Sequence, residues 1–234
     1  MNIVDIIIII LLIMGGALGF KNGVIKTATS FIGTFLIIVL SFMFKSTVSE
    51  VLYQIMPFGN FWGAVKGIQV INIIFYEVLA FILVFAVLSF ILHIILVVTG
   101  VFEKILKMTV ILSLPSKILG FVVGVLQYYT YIFIALFILS LPMFHMNEIR
   151  ESTFALKILE ETPVISEYAT ESVELYEEVY NIAKNRNKKT NEQLNKEALE
   201  LMLEKNFITY DSAKSLIDAN KIYLDDKEFI EKYK

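Results

Sequence analysis

The chain has no cysteine, two histidines, four prolines and one tryptophan among its 234 residues. Without cysteine there is no disulfide, no thiolate metal ligand and no cysteine nucleophile, and two histidines alone argue against a zinc centre. HExxH, the P-loop, GxSxG and the Rossmann glycine fingerprint are all missing, so none of those nucleotide-binding or hydrolytic chemistries is encoded. The expectation is a non-enzymatic protein with no cofactor and no metal. Charge is scarce too, but only in one part. Residues 1–144 hold Asp5, Glu50, Glu77 and Glu103 as their only acids, with Lys21, Lys26, Lys45, Lys66, Lys104, Lys107 and Lys117 as their bases. All other charge follows His145, and the net −3 belongs to that acidic last part. Nothing in it calls for a nucleic-acid partner.

What is present is mostly apolar. Hydrophobic residues make up 57% of the chain, against about 45–50% in soluble domains. The combination reads as an all-α polytopic membrane protein, with a four-helix transmembrane domain at 1–144 and a helical water-facing domain at 145–234. About 20 helical residues cross a hydrocarbon core, and helices satisfy their own backbone in lipid. Four stretches are long enough, at 3–20, 24–44, 71–99 and 118–143. The first carries Asp5 where a secretory signal would carry a basic leader, so it is expected to remain as an uncleaved span.

The connections differ in kind. STVSEVLYQIMPFGNFWGAVKGIQV reads as a loop broken by Pro57, Gly59, Gly63 and Gly67, with Phe58, Phe61 and Trp62 suited to a headgroup boundary. VFEKILKMTVILSLP reads as an interfacial amphipathic helix that ends before Pro115. Lysines crowd the first and third connections, which the positive-inside bias places in the cytoplasm, with both termini outside. In the last part, Ile165, Tyr168, Val173, Tyr176, Val179 and Ile182 form the apolar stripe of one helix, broken at KNRNKK. Thr190 and Gln193 form a capping box for a second helix, with Leu194, Ala198, Leu201 and Met202 on its buried side. A short helix stopping at Asn220 and another after Asp225 complete it.

Glycine supplies the most pointed pattern. Gly15, Gly19 and Gly23 fall four apart, and Gly16, Gly19 and Gly23 lie near the face that carries Asp5. Gly120 and Gly124 repeat the spacing in the last span, on a face shared with Gln127 and Tyr131. Small residues let membrane helices approach closely, so all six glycines are expected to pack helices. Gly23 also permits the tight turn between spans one and two.

The early aspartate, the G-x-x-x-G-x-x-x-G series with Lys21 before its last glycine, and the later LPSKILGFVVG together resemble the colicin V production protein (CvpA) family over residues 1–144. Tyr128 departs from it, standing where a third glycine would extend the series. The resemblance implies a small multi-pass protein of the bacterial plasma membrane, linked to colicin V production and to envelope homeostasis.

Ionisable groups inside a span are functional candidates because burying them is costly. Asp5, Glu77, His93 and Gln127 are the intramembrane polar candidates here. Glu77 is expected near the outer boundary, within reach of water, and His93 near the cytoplasmic one. Sixteen residues separate them, about 24 Å along a helix, so they form no local proton relay. The leading expectation is a scaffold whose partners are the bilayer, envelope or export proteins and other copies of itself. An oligomeric transporter or channel subunit lined by Asp5, Glu77 and Gln127 is the alternative, and a membrane-embedded enzyme comes last.

Overall fold

The computed structural model describes residues 2–98, 114–141, 144, 147–186, 189–226 and 228–234. Asn2 opens the first helix. Its side chain accepts from the Val4 amide at 2.6 Å, and Asp5 accepts from the Asn2 amide at 2.9 Å. This capping box starts α1 (Ile3–Asn22), which stops where Gly23 takes a positive φ of 77° and donates its N–H to the Gly19 carbonyl. Next come α2 (Val24–Ile55), α3 (Ile71–Val98) and α4 (Leu114–Leu139). All four are long and apolar enough to cross a membrane, α3 through its stretch Ile71–Ile95. The described residues form helices, turns and loops and no strand, so the chain is an all-α protein with four candidate spans.

Two span boundaries move for identifiable reasons. The second helix continues to Ile55 rather than ending near 44, because Lys45 to Ile55 contains no helix breaker before Pro57. The loop therefore starts ten or so residues later than its polar serines implied. The fourth helix starts at Leu114 rather than 118, with Pro115 in its first turn, where the missing N–H breaks no helical hydrogen bond. It ends at Leu139, short of 143, just before Ser140 and Pro142. The amphipathic helix expected ahead of Pro115 falls on residues 101–113, outside those described.

The chain forms two compact units. The first comprises residues 1–43, 82–139 and 146–170. Here α1 runs against α4, and Phe42 of α2 meets Phe133 and Phe137 of α4 at ring distances of 6.3 and 4.9 Å. A single turn at Asn147–Arg150 leads to α5 (Thr153–Glu161), capped by Ser152 and packed on α1 and α4.

The second unit comprises residues 44–81, 140–145 and 171–234. Composition changes at 145, whereas contacts group 44–81 with 171–234. Its helices are α6 (Ile165–Lys184, which starts in the first unit), α7 (Asn191–Glu204) and α8 (Tyr210–Asp218), followed by a 3-10 turn at Glu228–Tyr233. Its core takes Tyr53, Val65, Ile68, Val70, Ile71 and Ile74 from one segment, and Leu175, Tyr176, Leu194, Leu199 and Met202 from the other. The Thr190–Gln193 capping box is present, and Asn220 ends its helix with a φ of 54°. The buried stripe of α6 is rotated from the one expected. Ile165, Tyr176 and Val179 are in it, with Ala169, Ser172, Leu175 and Ala183, while Val173 and Ile182 are half-buried. The Tyr168 side chain lies outside those described. Ala169, Ser172 and Ala183 are small, so a count of large apolar residues passes over them. In α7, Leu201 is half-buried and Leu199 and Leu203 take the interior instead.

Candidate functional site

In the first unit, the backbones of α1 and α4 touch. A Cβ added to Gly19 would come within 2.8 Å of the Gly124 Cα, and one added to Gly124 within 2.8 Å of the Gly19 Cα. One on Gly120 would come within 2.9 Å of the Gly23 carbonyl carbon. Real Cβ atoms do not approach a backbone that closely, so these positions admit glycine alone. Gly15 faces Tyr128, whose Cβ lies 2.5 Å from the site of an added Cβ, and Gly16 faces the edge of the Phe121 ring. Tyr128 thus occupies the next step of the α4 series by packing over Gly15. Where the seam ends, the Val24 amide donates to Ser116 Oγ of α4 at 3.3 Å, which ties the start of α2 to α4.

The opposite end of α1 carries Asp5, which is 3% exposed. One carboxylate oxygen accepts from Ser152 Oγ at 2.5 Å and from the Phe154 amide at 3.2 Å, and the other accepts from the Asn2 amide. A single side chain therefore caps two helix N-termini, its own and that of α5, where a negative charge is favoured by the helix dipole. Asn2 adds a bond from its side-chain amide to the Glu148 carbonyl. The signal in the sequence was the acid at the third helical position after an asparagine. Its second partner, Ser152, lies too far along the chain for spacing to reveal it.

Gln127 reaches α2 from α4. Its Nε2 donates to Ser30 Oγ of α2 at 2.8 Å and to the Tyr131 hydroxyl at 2.7 Å. Gln127 lies three residues after Gly124 and Tyr131 four after that, on the helix face of the two glycines. His93 is exposed on α3 and has no hydrogen-bond partner among the described residues.

Glu77, in the second unit, is buried at 4% exposure instead of standing in water. It pairs with Lys45, itself 5% exposed, and the same ammonium donates to Ser172 Oγ of α6 at 2.6 Å. Three elements thus meet on one lysine. Glu77 Oε2 is buried without a hydrogen-bond partner among the described residues. Tyr176 is fully buried beside this group. Burial pushes its hydroxyl well above the ordinary phenol range, and the negative charge of Glu77 adds to the effect, so it stays neutral. Sequence reading missed Lys45 as the partner. The only available sign was a lysine just past one span and a glutamate just inside the next.

Two further cations tie residues 171–234 to residues 44–70. Lys221 Nζ donates to the carbonyls of Tyr53, Gln54 and Met56, the orphan acceptors at the end of α2, and lies 5.6 Å from the Phe58 ring centre. Arg186 donates to the carbonyls of Ala64 and Lys66 at 2.9 and 2.8 Å. Asn195 Oδ1 accepts from the Val70 amide at 3.2 Å, and Ser212 donates to Glu50. No three His, Asp or Glu side chains among the described residues are placed to share a metal ion.

Residues 4–163 match the family model of the colicin V production protein. That stretch contains the glycine seam, Asp5, Ser152, Lys45 and Glu77, and ends before α6 begins. Neither the curated proteins nor the solved structures contain a match.

Proposed function

This chain belongs to the colicin V production protein family, and from that premise we propose that it is a non-enzymatic scaffold in the bacterial plasma membrane. Its role is to support envelope homeostasis, and through it toxin production or export, by holding partner proteins at the bilayer. The observation that carries the reading is what the polar groups are used for. Asp5 caps two helices, Glu77 is bound to Lys45, and Lys221 and Arg186 cap backbone carbonyls. Groups committed to holding backbones are poor candidates for moving protons or binding a solute. A transporter path through Asp5, Glu77 and Gln127 would need those side chains to be available to a solute, whereas Asp5 is bonded to Ser152, Glu77 to Lys45 and Gln127 to Ser30.

Two observations support an orientation. Residues 171–234 come after the fourth span and bond to residues 53–70, between the second and third. An even number of crossings separates those segments, as four spans require. Lys21, Lys26 and Lys117 gather at the other ends of the helices, so the positive-inside bias puts those ends in the cytoplasm. The termini and the second unit then face outward, where envelope or export proteins would meet them.

Two experiments test the reading. The full chain reconstituted in sealed liposomes should give proton, potassium and chloride fluxes no greater than protein-free liposomes. A saturable flux would replace the scaffold with a transporter. Cells lacking the gene should lose tolerance to detergent challenge and regain it with the native chain but not with Gly19→Leu. Full tolerance without the gene would remove the envelope role.

A further inference from the structure

At the end of the first unit where α1 turns into α2, unpaired positive charge adjoins exposed apolar surface. Lys117 of α4 holds its ammonium 5.9 Å from the centre of the Phe20 ring of α1. One turn further along, Phe121 of α4 lies against Gly16 of α1. Leu114, Lys117 and Phe121 share a face of α4, and Ile13, Gly16 and Phe20 share a face of α1, by their three- and four-residue spacing. The two faces meet in these contacts and form one strip along the helix pair. Its apolar members are uncovered, with Ile13, Phe20, Leu114 and Phe121 between 40% and 68% exposed. Lys21, next in the chain after Phe20, is exposed as well, and Lys26 follows in the first turn of α2. Lys189, Lys196, Lys205, Lys214 and Lys232 each pair with a carboxylate, whereas Lys21, Lys26 and Lys117 meet none among the described residues. The only acid on α1 is Asp5, about 24 Å along the helix from Lys21.

We propose that this strip binds one anionic phospholipid, with the phosphate on Lys117 and Lys21 and an acyl chain along Phe20, Phe121 and Ile13. Cations at the end of an exposed apolar strip match an amphiphile that carries its negative charge and its hydrocarbon in the same order. A soluble anion would use the lysines and leave the strip bare. A zwitterionic headgroup brings an ammonium of its own, and no described carboxylate stands here to receive it. Phe20 suits the boundary between headgroups and hydrocarbon. Lysine stems lie along apolar surface while their ammonium groups reach that level. Basic sites between spans on the cytoplasmic side hold anionic headgroups, and the positive-inside bias puts this end of the helices there. The inference rests on the membrane-spanning assignment and not on the envelope role, so either can fail without the other.

The test uses the full chain in micelles of an uncharged detergent. It is titrated with phosphatidylglycerol or with phosphatidylcholine of the same acyl chains, and bound lipid is counted by native mass spectrometry. The native chain should retain one phosphatidylglycerol at concentrations where phosphatidylcholine is lost. Inorganic phosphate at the lipid's concentration should not displace it. Lys117→Gln and Lys21→Gln should each weaken phosphatidylglycerol binding about fivefold, and the double variant about 25-fold, the effect expected of lysines beside an anionic headgroup. Lys117→Arg keeps the charge and should bind as the native chain does. Lys66→Gln removes an exposed lysine of the connection between α2 and α3 and should change nothing. The double variant should keep the native melting midpoint in lipid-free micelles, so that lost lipid is not a lost fold. Equal retention of the two lipids would overturn the proposal. So would displacement by inorganic phosphate, or a loss with Lys66→Gln as large as with Lys117→Gln.

Discussion

Gly19 and Gly16 are three residues apart on one helix, yet they face different kinds of neighbour. Gly19 faces the Gly120 and Gly124 backbone, which cannot give way, and Gly16 faces the edge of the Phe121 ring, which can rotate. Gly19→Ala should therefore cost about 2 kcal/mol, within the usual range for an overpacked contact, and Gly16→Ala clearly less. Thermal unfolding in detergent micelles measures both, and equal losses would mean the seam is not backbone on backbone. Lys45 allows a second comparison. Lys45→Ala leaves Glu77 buried without its cation, a change that typically costs about 3–5 kcal/mol. Lys45→Met combined with Glu77→Leu removes both charges and should recover most of that loss. A double variant no better than the single one would show that the pair matters for something other than charge balance.

Among the elements, those with local signals were the most legible. The α1 turn at Gly23, the capping box of α7 and the stop at Asn220 each rest on residues within one turn of the feature they cause. Thr190→Ala should cost about 1 kcal/mol, read as a lower melting midpoint for helix content, and no change would mean the cap is idle. Elements whose ends depend on distant contacts were less legible. The extension of α2 to Ile55 exposes carbonyls that Lys221 caps from a distance of more than 160 positions in the chain, and no local pattern announces that. The rotated stripe of α6 is a further case, because the small Ala169, Ser172 and Ala183 are buried in it and carry little apolar signal in the sequence. Glycine spacing pointed to the seam, but not to Tyr128 packing over Gly15 at its next step.

Across the whole chain, composition separated lipid-facing from water-facing sequence but could not show what residues 171–234 pack on. Val65, Ile68, Val70 and Ile71 contribute to the same unit as Leu194, Leu199 and Met202. A fragment of residues 171–234 alone should therefore lack a cooperative melting transition in circular dichroism. Joining it by a flexible linker to residues 44–81, with the exposed Val51 and Ile55 replaced by polar residues for solubility, should restore one. A cooperative transition in the isolated fragment would show that its own apolar stripes suffice.

Four spans, with residues 171–234 on the same side of the membrane as the connection between α2 and α3 to which they bond, form the central claim. The native chain has no cysteine, so single cysteines introduced at exposed positions report sidedness directly. Asn60→Cys samples the connection between α2 and α3, Ser215→Cys samples α8, and Lys21→Cys samples the turn between α1 and α2. Treated with a membrane-impermeant maleimide, intact cells should label Asn60→Cys and Ser215→Cys and should label Lys21→Cys only after permeabilisation. Opposite labelling of Asn60→Cys and Ser215→Cys would contradict both the span count and the shared unit. Labelling of Lys21→Cys alone in intact cells would keep the four spans and reverse their orientation.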